Sequence, residues 1–269
     1  MVQKEKYIID TYIKNICKPS SKIKSKPDEE SMTETECLYG EEVKIQKIIG
    51  KWAKCTTLFD NYEGWIKVDD LFRLENSTHR IISPRSFVYK EPNIKSYILN
   101  YLPMGSKIKV KAYNEKWISM KFFNNNQYEI GFLLTKHIVP KNNIKKDWVK
   151  SAEQLMGTPY KWGGRDTIGI DCSALVQLSL ETIGIKFPRN SEDQEKFNFG
   201  VPYNRDILSR GSLVYWDGHV GIMRDKNYLL HANAYHMTVT SEDLVTAMKR
   251  IKVEYGPIKK IVNNYIGVN

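Results

Sequence analysis

The sequence predicts an α+β chain in which two small all-β barrels precede a mixed domain. Three observations carry this. Over residues 35–74 apolar and polar residues alternate in short runs broken by Gly, Asp and Asn, the period-two signature of half-buried strands. Residues 102–138 repeat the same plan. Near Asn142 the apolar spacing lengthens to that of a helix, and strands and helices then alternate.

Residues 1–34 read as a polar arm or linker, ending in "KPSSKIKSKPDEES". In the first barrel, residues 35–75, "EEVKIQKII", "GKWAKCTTL" and "DNYEGWIKVDDL" each supply a strand. In the second, residues 76–140, Trp117 aligns with Trp52, and "YEIGF" aligns with "YEGW" after one residue of slip. Two related modules in tandem explain the match. They resemble bacterial SH3-like domains, whose last strands carry this Gly-aromatic step.

Residues 141–269 form the third expected domain. Ile144, Trp148, Val149, Ala152, Leu155 and Met156 make a helical stripe that Gly157 stops. A second helix is expected over 171–184, with Asp171 as N-cap and Gly184 just past its end. Leu175, Val176, Leu180 and Ile183 form its apolar face. Strands follow near 211–216, 219–223 and 228–239.

Composition narrows the function. The chain has 269 residues, 41 % of them hydrophobic, and no low-complexity block, which describes a globular protein. No apolar run approaches a membrane span, and "MVQKEKYIID" shows no secretory signal. A cytoplasmic protein without a membrane partner is therefore expected. The charge of +10 comes from 41 basic and 31 acidic residues, spread without a basic block interleaved with aromatics, so nucleic acid is not expected as a partner. Cys17, Cys37, Cys55 and Cys172 lack close ligand pairs, so neither a metal site nor a cofactor is expected.

Cys172 falls in the first turn of the second helix. There the peptide dipoles favour an anion and would lower the thiol pKa; the plainer reading is a buried packing residue. A nucleophilic thiol needs a base and a group to orient it. "HVGIM" and "YLLHA" read as a hairpin around "RDK". Pairing Met223 with Asn227 puts His219 directly opposite His231, with Cβ atoms about 5 Å apart. His236 then points to the other face.

"GTPYKWGGRDTIGIDCSALVQLSLETIGIKFPRNSEDQ", followed by "RGSLVYWDGHVGIM" and "LLHANA", resembles the NlpC/p60 cysteine peptidases, papain-like hydrolases of bacterial cell-wall peptides. Ala174 and Ser212 depart from the family's usual Gly and Asp. The resemblance implies Cys172 as nucleophile, His219 as general base and His231 as the residue that orients it. Together with two SH3-like modules it further implies cleavage of the γ-D-glutamyl to diamino-acid bond in murein peptides with a free N-terminal L-alanine. Asp171, Ser173, Arg189 and Ser191 would line the substrate site, with Trp162 near it and Glu41 and Tyr62 holding the amine.

Each assignment has a structural rival. Asp171 is also the N-cap, Arg189 also reads as a surface charge, and Glu41 and Tyr62 as strand packing. At the level of function the rivals are an exported endopeptidase that binds intact wall, a catalytically inactive peptide-binding protein, and an acyl or amide hydrolase on the same fold.

Overall fold

The computed structural model describes residues 12–144, 147–197, 201–202 and 208–263. The chain divides into two compact units, Met1–Lys141 and Asn142–Asn269.

Among the described residues the first unit is all β apart from short 3₁₀ turns. Strands β1 (Tyr12–Ile16), β2 (Ser20–Lys24), β3 (Thr33–Leu38), β4 (Glu42–Ile49), β5 (Trp52–Thr57), β6 (Glu63–Lys67) and β7 (Leu71–Phe72) form one sheet in the order β3-β2-β6-β5-β4-β1-β7. This corrects the expected arm over residues 1–34. Residues 12–16 and 20–24 are strands, because Ile16 and Ile23 are fully buried in the core with Val43, Ile45, Ala53 and Ile66. The Lys and Ser residues between them disguised the alternation. Residues 1–11 of that arm, with the "MVQKEKYIID" stretch, lie outside the described residues.

A second core gathers Val88, Leu102, Ile118, Met120, Phe122 and Leu133. Around it run β8 (His79–Ile81), β9 (Arg85–Tyr89), β10 (Ile98–Pro103), β11 (Lys107–Ile108), β12 (Val110–Tyr113), β13 (Trp117–Asn124), β14 (Gln127–Leu134) and β15 (Ile138–Pro140). The two cores share a local device. Gly64 on β6 pairs with Cys55, three residues after Trp52. Gly131 on β14 pairs with Met120, three residues after Trp117. A Cβ on Gly64 would sit 2.3 Å from Ile23, and one on Gly131 would sit 2.5 Å from Val88. In both places a neighbouring side chain occupies the space that a larger residue would need.

In the second unit, α1 (Val149–Glu153) is shorter than the stripe suggested. Trp148, Val149, Ala152 and Leu155 are buried, but Ile144 and Met156 at the ends are exposed. The helix α2 (Cys172–Glu181) is buried along its whole length rather than on one face, as befits a central helix. It stops where expected: Gly184 has φ +78°, its N–H donates to the Glu181 carbonyl, and Ile185 donates to that of Leu180, a Schellman pair.

The main sheet contains β19 (Leu213–Trp216), β20 (His219–Met223), β21 (Tyr228–Asn233) and β22 (Thr238–Asp243), with β18 (Val201–Pro202) and β23 (Lys260–Asn263) at one edge. The strand expected over 228–239 is two strands separated by a turn at 234–237. Helix α4 (Leu244–Tyr255) packs Leu244, Ala247 and Ile251 onto Val214, Trp216, Met223 and Leu229. Ser212, standing where the resemblance calls for Asp, is fully buried and bonds to Asn263 at 2.6 Å.

Candidate active site

Two buried polar arrangements flank Cys172, the first residue of α2. The first starts from its neighbour Asp171. One Asp171 oxygen accepts from the Ala174 N–H at 2.8 Å, the expected N-cap, and the other accepts from the Gly163 N–H at 3.0 Å. Arg189 grips both oxygens, at 2.9 and 2.6 Å, and also donates to the Ser173 hydroxyl at 2.8 Å. Its side chain is 3 % exposed, so Arg189 is not a surface charge. A buried arginine held by two parallel bonds is a fixed element of the fold.

The "PYKWGG" segment is held in place by backbone bonds on both sides. Tyr160 N–H donates to Met237 O and Lys161 N–H to Ile170 O, while Ile170 N–H donates to Pro159 O. This brings Tyr160 and Trp162 to a cavity shared with Cys172, Gly218, His219 and Asn233. Helix α4 closes one side of it with Arg250, Ile251, Glu254 and Tyr255. Trp162 is 65 % exposed.

The second arrangement is the histidine hairpin. Its register differs from the expected one: Met223 pairs with Leu229 and Ile222 with Leu230. The Asp225 carboxylate accepts from the N–H groups of Asn227 and Tyr228, which makes the turn two residues longer. A slip of two preserves the face, whereas a slip of one would have reversed it. His219 and His231 are therefore diagonal neighbours rather than direct partners. His219 Nε2 lies 2.8 Å from His231 Nδ1. His236 belongs to the turn at 234–237, not to the opposite face of a strand, and its Nδ1 lies 3.1 Å from Asn233 Oδ1.

The polar series extends beyond the two histidines. His231 Nε2 lies 2.7 Å from Glu242 Oε1, and Arg250 donates to the same oxygen. Glu242 was legible in principle: His231 pairs with Thr240, so Glu242 shares its face. The unrecognised turn at 234–237 hid that parity. Trp216 and Tyr255 approach the His219 ring at centroid distances of 5.8 and 5.7 Å.

Burial dominates the electrostatics. It pushes the Cys172 thiol up to about 12, with Asp171 adding to the rise, while N–H groups of Val220 and Ser173 and the charge of Arg189 oppose it. The expected depression at a helix start is thus overruled by desolvation. Burial, then the neighbouring His231, pushes His219 down to about 3. Burial thus favours the uncharged form of each group.

Of the other expected residues, Asp171, Ser173 and Arg189 are clustered beside the thiol, whereas Ser191 begins the short helix α3 (Ser191–Lys196) and is not among the cavity residues. Glu41 and Tyr62 belong to the first unit. The Leu38 N–H donates to Glu41 at 2.9 Å, and the Tyr62 hydroxyl bonds to Glu34 at 3.2 Å.

A helix-start cysteine sharing a cavity with a paired histidine is the arrangement of a thiol hydrolase. The family model described as "NlpC/P60 family" matches residues 157–253. Residues 157–253 form an NlpC/P60 domain. Within the first unit, residues 24–71 match the model described as "Bacterial dipeptidyl-peptidase Sh3 domain". The chain is 25 % identical over 230 residues to dipeptidyl-peptidase 6 of Lysinibacillus sphaericus, covering 78 % of this chain and 83 % of that one. It is 25 % identical to gamma-D-glutamyl-L-lysine dipeptidyl-peptidase of Bacillus subtilis, covering 76 % and 73 %. The fold matches a crystal structure of an NlpC/P60 family protein from Bacillus cereus with TM-score 0.79 at 17 % identity, over 94 % of this chain and 99 % of that one. The NlpC/P60 domain makes this chain a peptidase of the cysteine type.

Proposed function

We propose that this cysteine peptidase releases L-alanyl-D-glutamate from short murein peptides by hydrolysing the γ-D-glutamyl to diamino-acid bond. The observation that carries the chemistry is the cavity that joins Cys172 to His219, with His231 bonded behind it. The substrate class is supported by the names of the two relatives that match across both units. Tandem SH3-like modules, residues 12–72 and 79–140, are supported by the equivalent glycines Gly64 and Gly131. We place the activity in the cytoplasm, where peptides with a free amine arise during murein turnover; no helix among the described residues is long and apolar enough to cross a membrane.

In this reading His219 takes the thiol proton as Cys172 Sγ attacks the γ-carbonyl of D-glutamate. The Cys172 N–H, one of the unpaired donors of the helix start, stabilises the oxyanion. The C–N bond then breaks, His219 returns its proton to the leaving amine, and water hydrolyses the thioester. Since burial favours the neutral pair, proton transfer accompanies attack rather than preceding it.

The test compares L-Ala-γ-D-Glu-L-Lys with its N-acetylated form. The free peptide should yield L-Ala-D-Glu and lysine, the blocked one should not, and Cys172→Ala should abolish turnover while the protein stays folded. Equal cleavage of both peptides, or of intact sacculi, would instead support an exported endopeptidase.

A further inference from the structure

We propose that Glu242, held by Arg250, is the positioning residue that fixes the tautomers of both histidines and so leaves Nδ1 of His219 as the base. This rests on the cysteine-peptidase reading of the domain, not on the identity of the peptide. The argument follows the protons outward from the carboxylate. Burial would raise the Glu242 pKa, but the bonds from His231 and Arg250 outweigh it and hold the group at about 2. Glu242 is thus ionised and can only accept hydrogen bonds.

At 2.7 Å from Glu242 Oε1, His231 Nε2 must carry the proton. His231 is completely buried, and that burial lowers its pKa despite the carboxylate. As a neutral ring it therefore has an unprotonated Nδ1. That nitrogen lies 2.8 Å from His219 Nε2, which must then be the donor. A neutral His219 protonated at Nε2 has one basic nitrogen left, Nδ1.

The groups that face this chain come from several elements. His219 meets His231 from β21, Trp216 from β19 and Tyr255 from α4, and it shares its cavity with Cys172 of α2. Glu242 meets His231, Arg250 of α4 and, at 3.8 Å, His236 of the 234–237 turn. Arg250 also lies over the Tyr235 ring, 4.2 Å from its centroid, which fixes the guanidinium from a second side. The Glu242 charge favours protonated His219, and the Arg250 charge disfavours it. Glu242 thereby offsets part of the Arg250 charge, which otherwise disfavours the imidazolium that forms as the thiol is consumed.

The experiment has two arms. In the first, two-bond ¹H–¹⁵N correlation NMR of histidine-labelled protein at neutral pH reads the tautomers without any substrate. Both His219 and His231 should be protonated at Nε2, and an Nδ1-protonated form of either overturns the proposal. In the second, Glu242→Gln should lower kcat about 10- to 100-fold, the scale known for carboxylates behind metal-bound histidines, with KM within about twofold. The acid limb of kcat/KM should move to lower pH. Arg250→Met, which keeps the carboxylate, should move that limb to higher pH and decides the matter should Glu242→Gln fail to fold. Unchanged kcat and limb in Glu242→Gln, or no upward shift in Arg250→Met, also overturns it. A wild-type protein with the stated tautomers but no cleavage of the lysine tripeptide would contradict the proposed substrate and leave the positioning role standing.

Discussion

The two polar arrangements beside Cys172 are built from similar materials and behave in opposite ways. On one side, Asp171, Ser173 and Arg189 form a closed cluster in which a guanidinium and a carboxylate meet through two parallel bonds. On the other, His219, His231 and Glu242 form an open series in which each ring contributes one nitrogen to the next bond. The cluster ties the start of α2 to the chain after it, and its role is to hold. The series runs from an ionised carboxylate to a buried base, so protonation at one end alters the other. Rigidity around the Cys172 thiol and transmission to His219 are thus divided between two arrangements of polar groups.

The largest expected effect comes from breaking the cluster. Asp171→Ala removes the N-cap and leaves the buried Arg189 without its carboxylate, a change that costs about 3–5 kcal/mol when a buried ion pair loses one member. Urea unfolding should register this loss, and activity should fall with it. The contrast with Glu242→Gln sharpens the comparison, because there activity should fall even where the variant, less stable for losing its charge pairing with Arg250, is still folded. If Asp171→Ala were as stable as the parent, the cluster would not be the clamp described.

A smaller effect distinguishes the two sides by pH. His219 has its pKa lowered from 6.5 to about 3 by burial. Between those values the unfolded chain binds the proton and the folded one does not, so stability falls as pH falls. At pH 5.5 the loss from His219 alone is about 1.4 kcal/mol relative to neutral pH. Glu242, held near 2, adds a loss of the same sign only below its ordinary value of 4.5. Unfolding curves at pH 7.5 and 5.5 should show this difference, and His219→Asn should reduce it. An equal pH response in His219→Asn would mean that the imidazole is not buried neutral.

What the sequence revealed about this site follows from the range of the contacts. Cys172, Asp171 and Gly184 are governed by neighbours within one helix, so capping rules located them. His219 and His231 were matched by strand parity, which survived a two-residue error in the turn because side chains alternate with period two. Glu242 and Arg250 required a second turn and the packing of α4, neither of which leaves a local periodic signal. Arg189 could be read as surface because nothing in "FPRNS" says that Asp171 is waiting for it. The strands β1 and β2 read as an arm because Lys and Ser outnumber the two isoleucines that anchor them. The thiol pKa departs from the helix-start expectation for a related reason: the helix start is local, whereas the burial that overrides it comes from the whole domain.

The most direct test of the account is to catch the acyl-enzyme. Wild-type protein mixed with L-Ala-γ-D-Glu-L-Lys and quenched in acid should carry an L-alanyl-γ-D-glutamyl thioester on the peptide containing Cys172, detected by mass spectrometry and absent from Cys172→Ala. Turnover of the peptide by Cys172→Ala at the wild-type rate, with no adduct on Cys172 of the parent, would contradict the assignment of that thiol as the nucleophile.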